Sequence, residues 1–316
     1  MRIGWVGFHS EGLPALRAVL EQGVRLEAVL TLEPSLAVRK SGAIDYGSLC
    51  RDFGVPLYEI RNINNPPTVA LLKALSLDLV FVIGWTQLVR REAMQQVRVG
   101  MLGAHASLLP SFRGRAPINW ALIRGAQQTG NTLMWLAEQA DRGDIIDQTV
   151  IPIQPYDTCA TLYGKVAETN KSMILRVLPR LLAGQRPGRP QPEGDGPDLP
   201  ARRPEDGVVN WADGAVQVYD FIRALTKPYP GAISWLDGRR FRLWECALLP
   251  GLCSAGASAG RILGAVVSPR EDACGQAVAC QTGSLVVLEM EDDQGNVLRG
   301  RRLSDQCWEG KVLTHE

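Results

Sequence analysis

Residues 100–125, GMLGAHASLLPSFRGRAPINWALIRG, place a histidine before a loop that holds two arginines, a glycine and two prolines. His105 ends the apolar run VGMLGAH, a predicted strand, and α/β enzymes place reactive side chains at such strand ends. Holding a loop of this length in one conformation costs conformational entropy, and such loops are usually found where they shape a functional site. These features favour acid–base chemistry at His105, although a lone histidine after a strand is more often a packing or capping residue.

A second polar group follows the strand-like run TLMWLA. In AEQADRGDIID, three carboxylates surround a glycine turn: Asp141, Asp144 and Asp147. A carboxylate close to an imidazole stabilises its protonated form and fixes its tautomer, so an aspartate that reaches His105 would complete an acid–base pair. Acidic residues in such turns are also ordinary solvated turn formers, and the residues alone leave both interpretations open.

Together these two stretches resemble a known family. HASLLPSFRGRAPINWALIRG, followed by TGNTLMWLAEQADRGDIIDQ, is similar to the 10-formyltetrahydrofolate-dependent formyltransferases, whose members formylate methionyl-tRNA, glycinamide ribonucleotide or sugar nucleotides. YGKVAETNKSMILRVLP and RRPEDGVVNWADGAVQVYDFIRALTKPYPGA extend the resemblance over nearly the whole chain. RGRAPINW and KPYPGA are most similar to the sugar N-formyltransferases. The resemblance implies an enzyme that transfers a formyl group from 10-formyltetrahydrofolate to an amino group of a small molecule, such as an amino-sugar nucleotide or a secondary-metabolite intermediate.

The resemblance also implies roles for individual residues. In the family an asparagine donates to the developing oxyanion, a histidine two residues later relays protons, and an aspartate sustains the charge state of that histidine. The matching positions here are Gly103, His105 and Asp141. The expected folate contacts are Gln87, Leu88, Val89, Arg115, Ala137, Glu138, Gln139, Ala140 and Asp141. The expected acceptor contacts are Arg115, Asn119 and Trp120, and no metal is implied.

Gly103 departs from the family pattern because glycine has no side-chain amide. Removing one oxyanion donor typically lowers the rate about 100- to 1,000-fold. Three hypotheses follow. Formyl transfer persists with a water, a backbone N–H or another residue as donor; the missing side chain makes room for altered acyl transfer or hydrolysis; or the chain is a non-catalytic folate- or ligand-binding homologue. Retention of His105 and Asp141 counts against the third.

The elements that must position these residues follow an alternating pattern up to about residue 152. The runs RIGWVGF, RLEAVLT, VPLYEI and LDLVFVIG predict strands, and GLPALRAVLEQG, YGSLCRDFG and PTVALLKALS predict helices between them. Apolar strands separated by short helices are typical of a doubly wound, mostly parallel α/β sheet. No GxGxxG motif follows the first strand, which argues against a dinucleotide. IGWTQLV, after a later strand, is a predicted wall of a site.

A second domain is predicted beyond a linker, QRPGRPQPEGDGPDLPARRPEDG, whose prolines and glycines interrupt regular structure. We expect a formyltransferase-like catalytic domain over residues 1–204 and a small β-barrel-like, OB-like domain over residues 205–316. In the latter, GAISWLDGRRFRLWECALL predicts a hairpin around its DG turn, and GRILGAVVS, QAVACQTGSLVVLEME and RRLS predict further strands.

Bulk properties narrow the class of protein. The formal net charge is +1, and residues 207–316 hold 11 Lys and Arg against 13 Asp and Glu, so nucleic acid, including tRNA, is an unlikely partner. No apolar run approaches the roughly 20 residues of a membrane helix, and we expect a cytoplasmic protein with a homodimer as the default assembly. The seven cysteines include no CxxC pair, which favours reduced structural thiols over disulfides or zinc.

Overall fold

A computed structural model describes residues 1–193, 198–251 and 256–316. Cys253 and residues 194–197 of the predicted linker lie outside the described residues. The strands are β1 (Ile3–Val6), β2 (Leu26–Leu32), β3 (Leu57–Ile60), β4 (Leu79–Val82), β5 (Gly100–His105), β6 (Gln128–Trp135), β7 (Ile145–Pro152), β8 (Ala232–Leu236), β9 (Arg239–Leu248), β10 (Ile262–Val266), β11 (Gly275–Ala279), β12 (Ser284–Asp292), β13 (Val297–Arg299) and β14 (Leu313–Thr314).

The α-helices join these strands and cover the sheets. They are α1 (Leu13–Glu21), α2 (Pro34–Ala37), α3 (Gly47–Asp52), α4 (Pro66–Leu75), α5 (Arg91–Met94), α6 (Pro117–Ile123), α7 (Cys159–Leu182), α8 (Ala215–Leu225) and α9 (Arg301–Ser304). None of the described helices is long and apolar enough to span a membrane.

The first sheet has the strand order β3-β2-β1-β4-β5-β6-β7. The strands from β1 to β5 are parallel, and β6 and β7 are antiparallel additions at one edge. Strand β4 shows why its sequence is continuously apolar: Leu79 and Phe81 belong to one core cluster, whereas Val80 and Val82 belong to the cluster on the opposite face. The predicted α/β class with a doubly wound, mostly parallel sheet is confirmed.

The second sheet is antiparallel and has the order β10-β11-β12-β9-β8-β14, with β13 paired to β12. Its two ends meet, because Arg261 and Val312 form a bridge and Ile262 N donates to Lys311 O at 2.8 Å. The predicted small β-barrel-like C-terminal domain is thus confirmed. The predicted hairpin is β8–β9, joined at Asp237 and Gly238.

One strand prediction in this sheet is wrong. RRLS forms the short helix α9. Its last two amide groups, those of Leu303 and Ser304, both donate to Gly300 O, so the backbone pairs locally instead of across a sheet. A four-residue run carries too little pattern to distinguish the two outcomes.

The chain divides into two compact units near residue 200. The first unit comprises Met1–Pro117, Gln128–Ile153 and Leu162–Pro200; the second comprises Ile118–Gln127, Gln154–Thr161 and Ala201–Glu316. The segments Ile118–Gln127 and Gln154–Thr161 thus belong to the second unit, although they precede the predicted boundary at residue 205. Hydrogen bonds explain why: Asn119 Nδ2 donates to Ala224 O at 2.6 Å, and Tyr219 OH donates to Pro155 O at 2.7 Å.

Closure of the barrel depends on a close backbone approach at Gly260. This residue has φ +82°, and a Cβ there would lie 2.2 Å from Leu313 O. We expect Gly260→Ala to lower the free energy of unfolding by about 3 kcal/mol, measured by chemical denaturation, because the closing strand must move. Gly238→Ala is the matched control: φ is +73° but nothing lies within 4 Å, so only about 1 kcal/mol of backbone strain is expected. Equal losses would contradict the role of the close approach.

Candidate active site

His105 is the last residue of β5 and lies where the sequence predicts a reactive side chain. Its ring is 9% exposed. Nε2 lies 2.8 Å from Phe112 O, and Nδ1 lies 3.5 Å from Asp141 Oδ1. Because a carbonyl only accepts, Nε2 carries a hydrogen and donates it to Phe112 O. Nδ1, on the other side of the ring, faces the Asp141 carboxylate.

Asp141 is held in position by its own backbone as well as by its side chain. It adopts the left-handed region with φ +56°. Its Oδ2 accepts from Gly114 N at 2.9 Å, so one carboxylate oxygen is fixed to the loop while Oδ1 faces His105. Of the three aspartates predicted around this turn, only Asp141 is paired with His105. Asp147 lies in β7 and its carboxylate pairs with Arg176 at 2.8 Å, and Asp144 O accepts from Trp135 N.

A residue that the sequence reasoning missed, Arg113, supports this arrangement. Its side chain is buried; Nε donates to Asp141 O at 3.2 Å, and a terminal nitrogen donates to Gln191 Oε1 at 2.6 Å. Gln191 Nε2 in turn donates to Asp141 O at 3.0 Å. The motif RGR contains two arginines. The family resemblance implies contacts for the second, Arg115, which is exposed.

The role of Arg113 leads to a stability prediction. We expect Arg113→Met to lower the free energy of unfolding by about 2 kcal/mol, because the buried guanidinium is lost together with its hydrogen bonds to Gln191 Oε1 and Asp141 O, both partly buried. Arg115→Met, two residues away, should change it by no more than about 0.5 kcal/mol, since that side chain is exposed. Thermal and denaturant unfolding of both variants test this; an unchanged Arg113→Met would show that the buried guanidinium has no supporting role.

A cavity of about 370 Å³ opens beside His105 and Asp141. Its apolar walls include Val82, Trp85 and Leu136, and the predicted wall IGWTQLV contributes residues 85–89. The predicted folate contacts among the lining residues are Gln87, Leu88, Val89, Arg115, Ala137, Ala140 and Asp141. Glu138 and Gln139 are not among the lining residues; Glu138 is exposed and pairs with Arg91 at 3.3 Å.

The loop of residues 85–89 is fixed by the side chain of Gln87. Gln87 Oε1 accepts from Ile63 N at 3.0 Å, and Nε2 donates to Arg61 O at 2.9 Å. Within the described part of the chain, no backbone N–H of residues 85–89 donates to another protein atom. The backbone N–H groups of this cavity-lining loop are therefore not engaged by other described residues.

Gly103 lines the same cavity, and the space that a side chain would need there is filled. A Cβ at this position would lie 2.8 Å from Leu136 Cδ2 and 3.2 Å from Val82 O. Leu136 Cδ2 therefore occupies part of the space that a Cβ at position 103 would need. The hypothesis that the glycine makes room for another acyl group, donor or acceptor stays a prediction.

The two acceptor contacts predicted from PINW belong to the second unit, whereas the cavity is lined by residues of the first. Asn119 is fully buried and donates to Ala224 O, an arrangement that serves packing within its own unit. The guanidinium of Arg202 lies 5.0 Å from the centre of the Trp120 ring. Direct contact of either residue with an acceptor remains a prediction.

Family models match both parts of the chain. The formyl transferase model matches residues 19–178, and the model of the formyl transferase C-terminal domain matches residues 202–306. The chain belongs to the formyl transferase family. The predicted class of enzyme, a formyltransferase-like one-carbon transferase, is confirmed at the level of the family, and the order of a catalytic domain followed by a C-terminal domain is that of these formyl transferases.

Solved structures of other proteins share this fold. HypX from Aquifex aeolicus in complex with tetrahydrofolic acid matches with a TM-score of 0.67 and 19% identity, over 95% of this chain and 45% of HypX. This chain thus spans less than half of HypX. WlaRD, a sugar 3N-formyl transferase in the presence of dTDP and 5-N-formyl-THF, matches with a TM-score of 0.65 and 14% identity, over 90% of this chain and 96% of WlaRD.

Proposed function

We propose that this protein transfers a formyl group from 10-formyltetrahydrofolate to the amino group of a small molecule. The observation that carries the proposal is the pairing of His105 with Asp141 at the edge of the cavity. When bound, the folate supplies the electrophilic formyl carbon. Negative charge develops on the formyl oxygen during acyl transfer, and a donor must be placed where it develops. We assign that donor to His105 Nε2, since Nδ1 faces Asp141; the Nε2 hydrogen must then exchange its bond to Phe112 O for one to the formyl oxygen.

The residues that line the cavity suit a folate in their chemistry. A pterin ring is flat and carries hydrogen-bonding atoms along its edges. The apolar side chains of Val82, Trp85 and Leu136 suit the ring faces, and the backbone donors of residues 85–89 suit its edge. HypX and WlaRD, both of this fold, were crystallised with tetrahydrofolic acid and 5-N-formyl-THF respectively.

The acceptor we propose is the amino group of a small molecule, and an amino-sugar nucleotide is the first class to test. WlaRD is named a sugar 3N-formyl transferase and was crystallised with dTDP. The slightly acidic composition of residues 207–316 disfavours a tRNA acceptor, which needs clustered cations. A cytoplasmic location and a homodimeric assembly complete the proposal.

The decisive experiment follows release of tetrahydrofolate from 10-formyltetrahydrofolate, with and without a panel of amino-sugar nucleotides. Release that requires an amine, with formylated product in the same amount, supports the proposal. Release without an amine shows hydrolysis, and folate binding without release shows a binding protein. Either of the last two results would replace the proposed function.

A further inference from the structure

The predicted linker is bound to the first unit where it passes the candidate site. Its residue Arg189 pairs with Ile145 of β7 through two backbone hydrogen bonds, at 2.8 and 2.9 Å. Two residues earlier, Pro187 O accepts from Trp135 Nε1 at 2.6 Å. These residues all belong to the first unit. The linker therefore extends the edge of the first sheet and does more than connect two domains.

The side chain of Gln191, further along the linker, spans the turn that carries Asp141. Its Nε2 donates to Asp141 O at 3.0 Å and to Gly143 O at 2.7 Å. Its Oε1 accepts from Arg113 at 2.6 Å, so both polar atoms of the amide are used. Asp141 and Gly143 line the cavity, and Gln191 is not among the described residues that do. Gln191 is thus placed to hold the turn and not to touch a ligand.

The same linker also holds the RGR loop, which binds the other side of this aspartate. Leu199 is 6% exposed; its N donates to Arg113 O at 2.7 Å, and its O accepts from Arg115 N at 3.0 Å. Gly114 has φ +102°, and a Cβ there would lie 2.4 Å from Leu199 O. This close approach fixes Gly114, whose N–H donates to Asp141 Oδ2. Both partners of that hydrogen bond are therefore held by linker residues.

Asp141 needs this support because its backbone lies in a region that side chains disfavour. Its φ of +56° is left-handed, and such a conformation persists only where the surroundings hold it. Two hydrogen bonds to its carbonyl do so, one from Gln191 Nε2 at 3.0 Å and one from Arg113 Nε at 3.2 Å. The backbone conformation sets the direction of the carboxylate, whose Oδ1 lies 3.5 Å from His105 Nδ1. That direction consequently depends on the linker.

We propose that Gln191 is a positioning residue of the catalytic site, an inference that rests on the proposed function. By donating to the carbonyl groups of Asp141 and Gly143, it keeps the Asp141 carboxylate directed at His105. The linker is then part of the framework of the site. Misplacing a group by about 1 Å can cost on the order of 100-fold in rate, so loss of Gln191 should appear in kcat.

Two substitutions separate the donor half of the Gln191 amide from its acceptor half. Gln191→Met keeps the length of the side chain and removes its hydrogen bonds. Gln191→Glu still accepts from Arg113, but as a carboxylate it cannot donate to the two carbonyl groups of the turn. We expect both variants to lower kcat for amine-dependent tetrahydrofolate release about 10- to 100-fold. Gln185→Met is the matched control and should leave kcat unchanged, because Gln185 Oε1 accepts from Arg180.

A double-mutant cycle distinguishes positioning from general damage to the fold. If Gln191 acts through the Asp141 carboxylate, Gln191→Met should lower kcat by no more than about threefold in an Asp141→Asn background, because the group that it orients is absent. A loss in that background as large as the loss in the wild type would overturn the assignment. Wild-type kcat in Gln191→Met or in Gln191→Glu would also overturn it, since donation to the turn would then be dispensable.

Amide hydrogen exchange, followed by NMR, tests the positioning without any turnover. The Gly114 amide donates to Asp141 Oδ2 at 2.9 Å, and the Ile83 amide donates to Val6 O within the first sheet. We expect Gln191→Met to speed exchange at Gly114 by about 10-fold or more and to leave Ile83 unchanged. If the wild type releases no tetrahydrofolate with any amine, the proposed function fails, but this result still supports the positioning of Asp141. Unchanged exchange at Gly114 removes it.

Discussion

Replacing His105 with alanine should lower the rate of amine-dependent tetrahydrofolate release by about 10²- to 10⁴-fold, the range expected for the loss of a positioned acid–base group. His105 is the proposed donor at the cavity, and its Nδ1 is 3.5 Å from the Asp141 carboxylate. The affinity for tetrahydrofolate, measured by titration calorimetry, should stay nearly constant, because the walls formed by residues 85–89 and Leu136 are unchanged. The loss should therefore fall on kcat.

Asp141 and Asp147, which are close in sequence, provide a matched pair of variants for this result. Asp141→Asn should also lower kcat, because the amide cannot stabilise the imidazolium, whereas Asp147→Asn should leave it unchanged, because that carboxylate pairs with Arg176. Unaltered turnover in the His105→Ala variant would remove His105 from the catalytic site. A loss in Asp147→Asn equal to that in Asp141→Asn would show a general effect of the turn.

The second large effect is expected at Gly103, and it depends on Leu136. Gly103→Asn alone should not raise turnover and should lower stability by about 1 kcal/mol, because its Cβ would lie 2.8 Å from Leu136 Cδ2 and 3.2 Å from Val82 O, so that the Leu136 side chain must shift. Gly103→Asn combined with Leu136→Ala provides both the amide and the space for it. Against Leu136→Ala alone, the double variant should raise kcat for formyl transfer about 10- to 100-fold, since one oxyanion donor is worth up to about 1,000-fold.

These variants separate two explanations of the glycine. An increase in the double variant shows that position 103 lacks an oxyanion donor and that Leu136 prevents its simple restoration. An increase in the kcat of Gly103→Asn alone would show that Leu136 moves aside and does not block the amide. If the double variant has the same kcat as Leu136→Ala, the amide does not stabilise the oxyanion, and His105 alone provides the donor.

Much of the architecture could be predicted from the sequence. Continuous apolar runs such as that of β4 predicted strands buried on both faces, and the DG turn predicted the β8–β9 hairpin, because these patterns reflect local burial and backbone geometry. The strand prediction for RRLS was wrong because four residues are too few to show a helical or strand periodicity of apolar residues. The two early segments that join the second unit were missed, since their partners, Ala224 for Asn119 among them, are far away in the chain.

For the site, the sequence by itself determined the reactive residue types and their places at strand ends: His105 after β5, and an aspartate cluster after β6. It also determined that the family amide is absent at Gly103. Only the tertiary structure decided which aspartate meets the histidine, that buried Arg113 supports Asp141, and that Leu136 lies against Gly103. The reason is physical: strand order and loop packing set the distances between side chains remote in sequence, and chemistry depends on those distances.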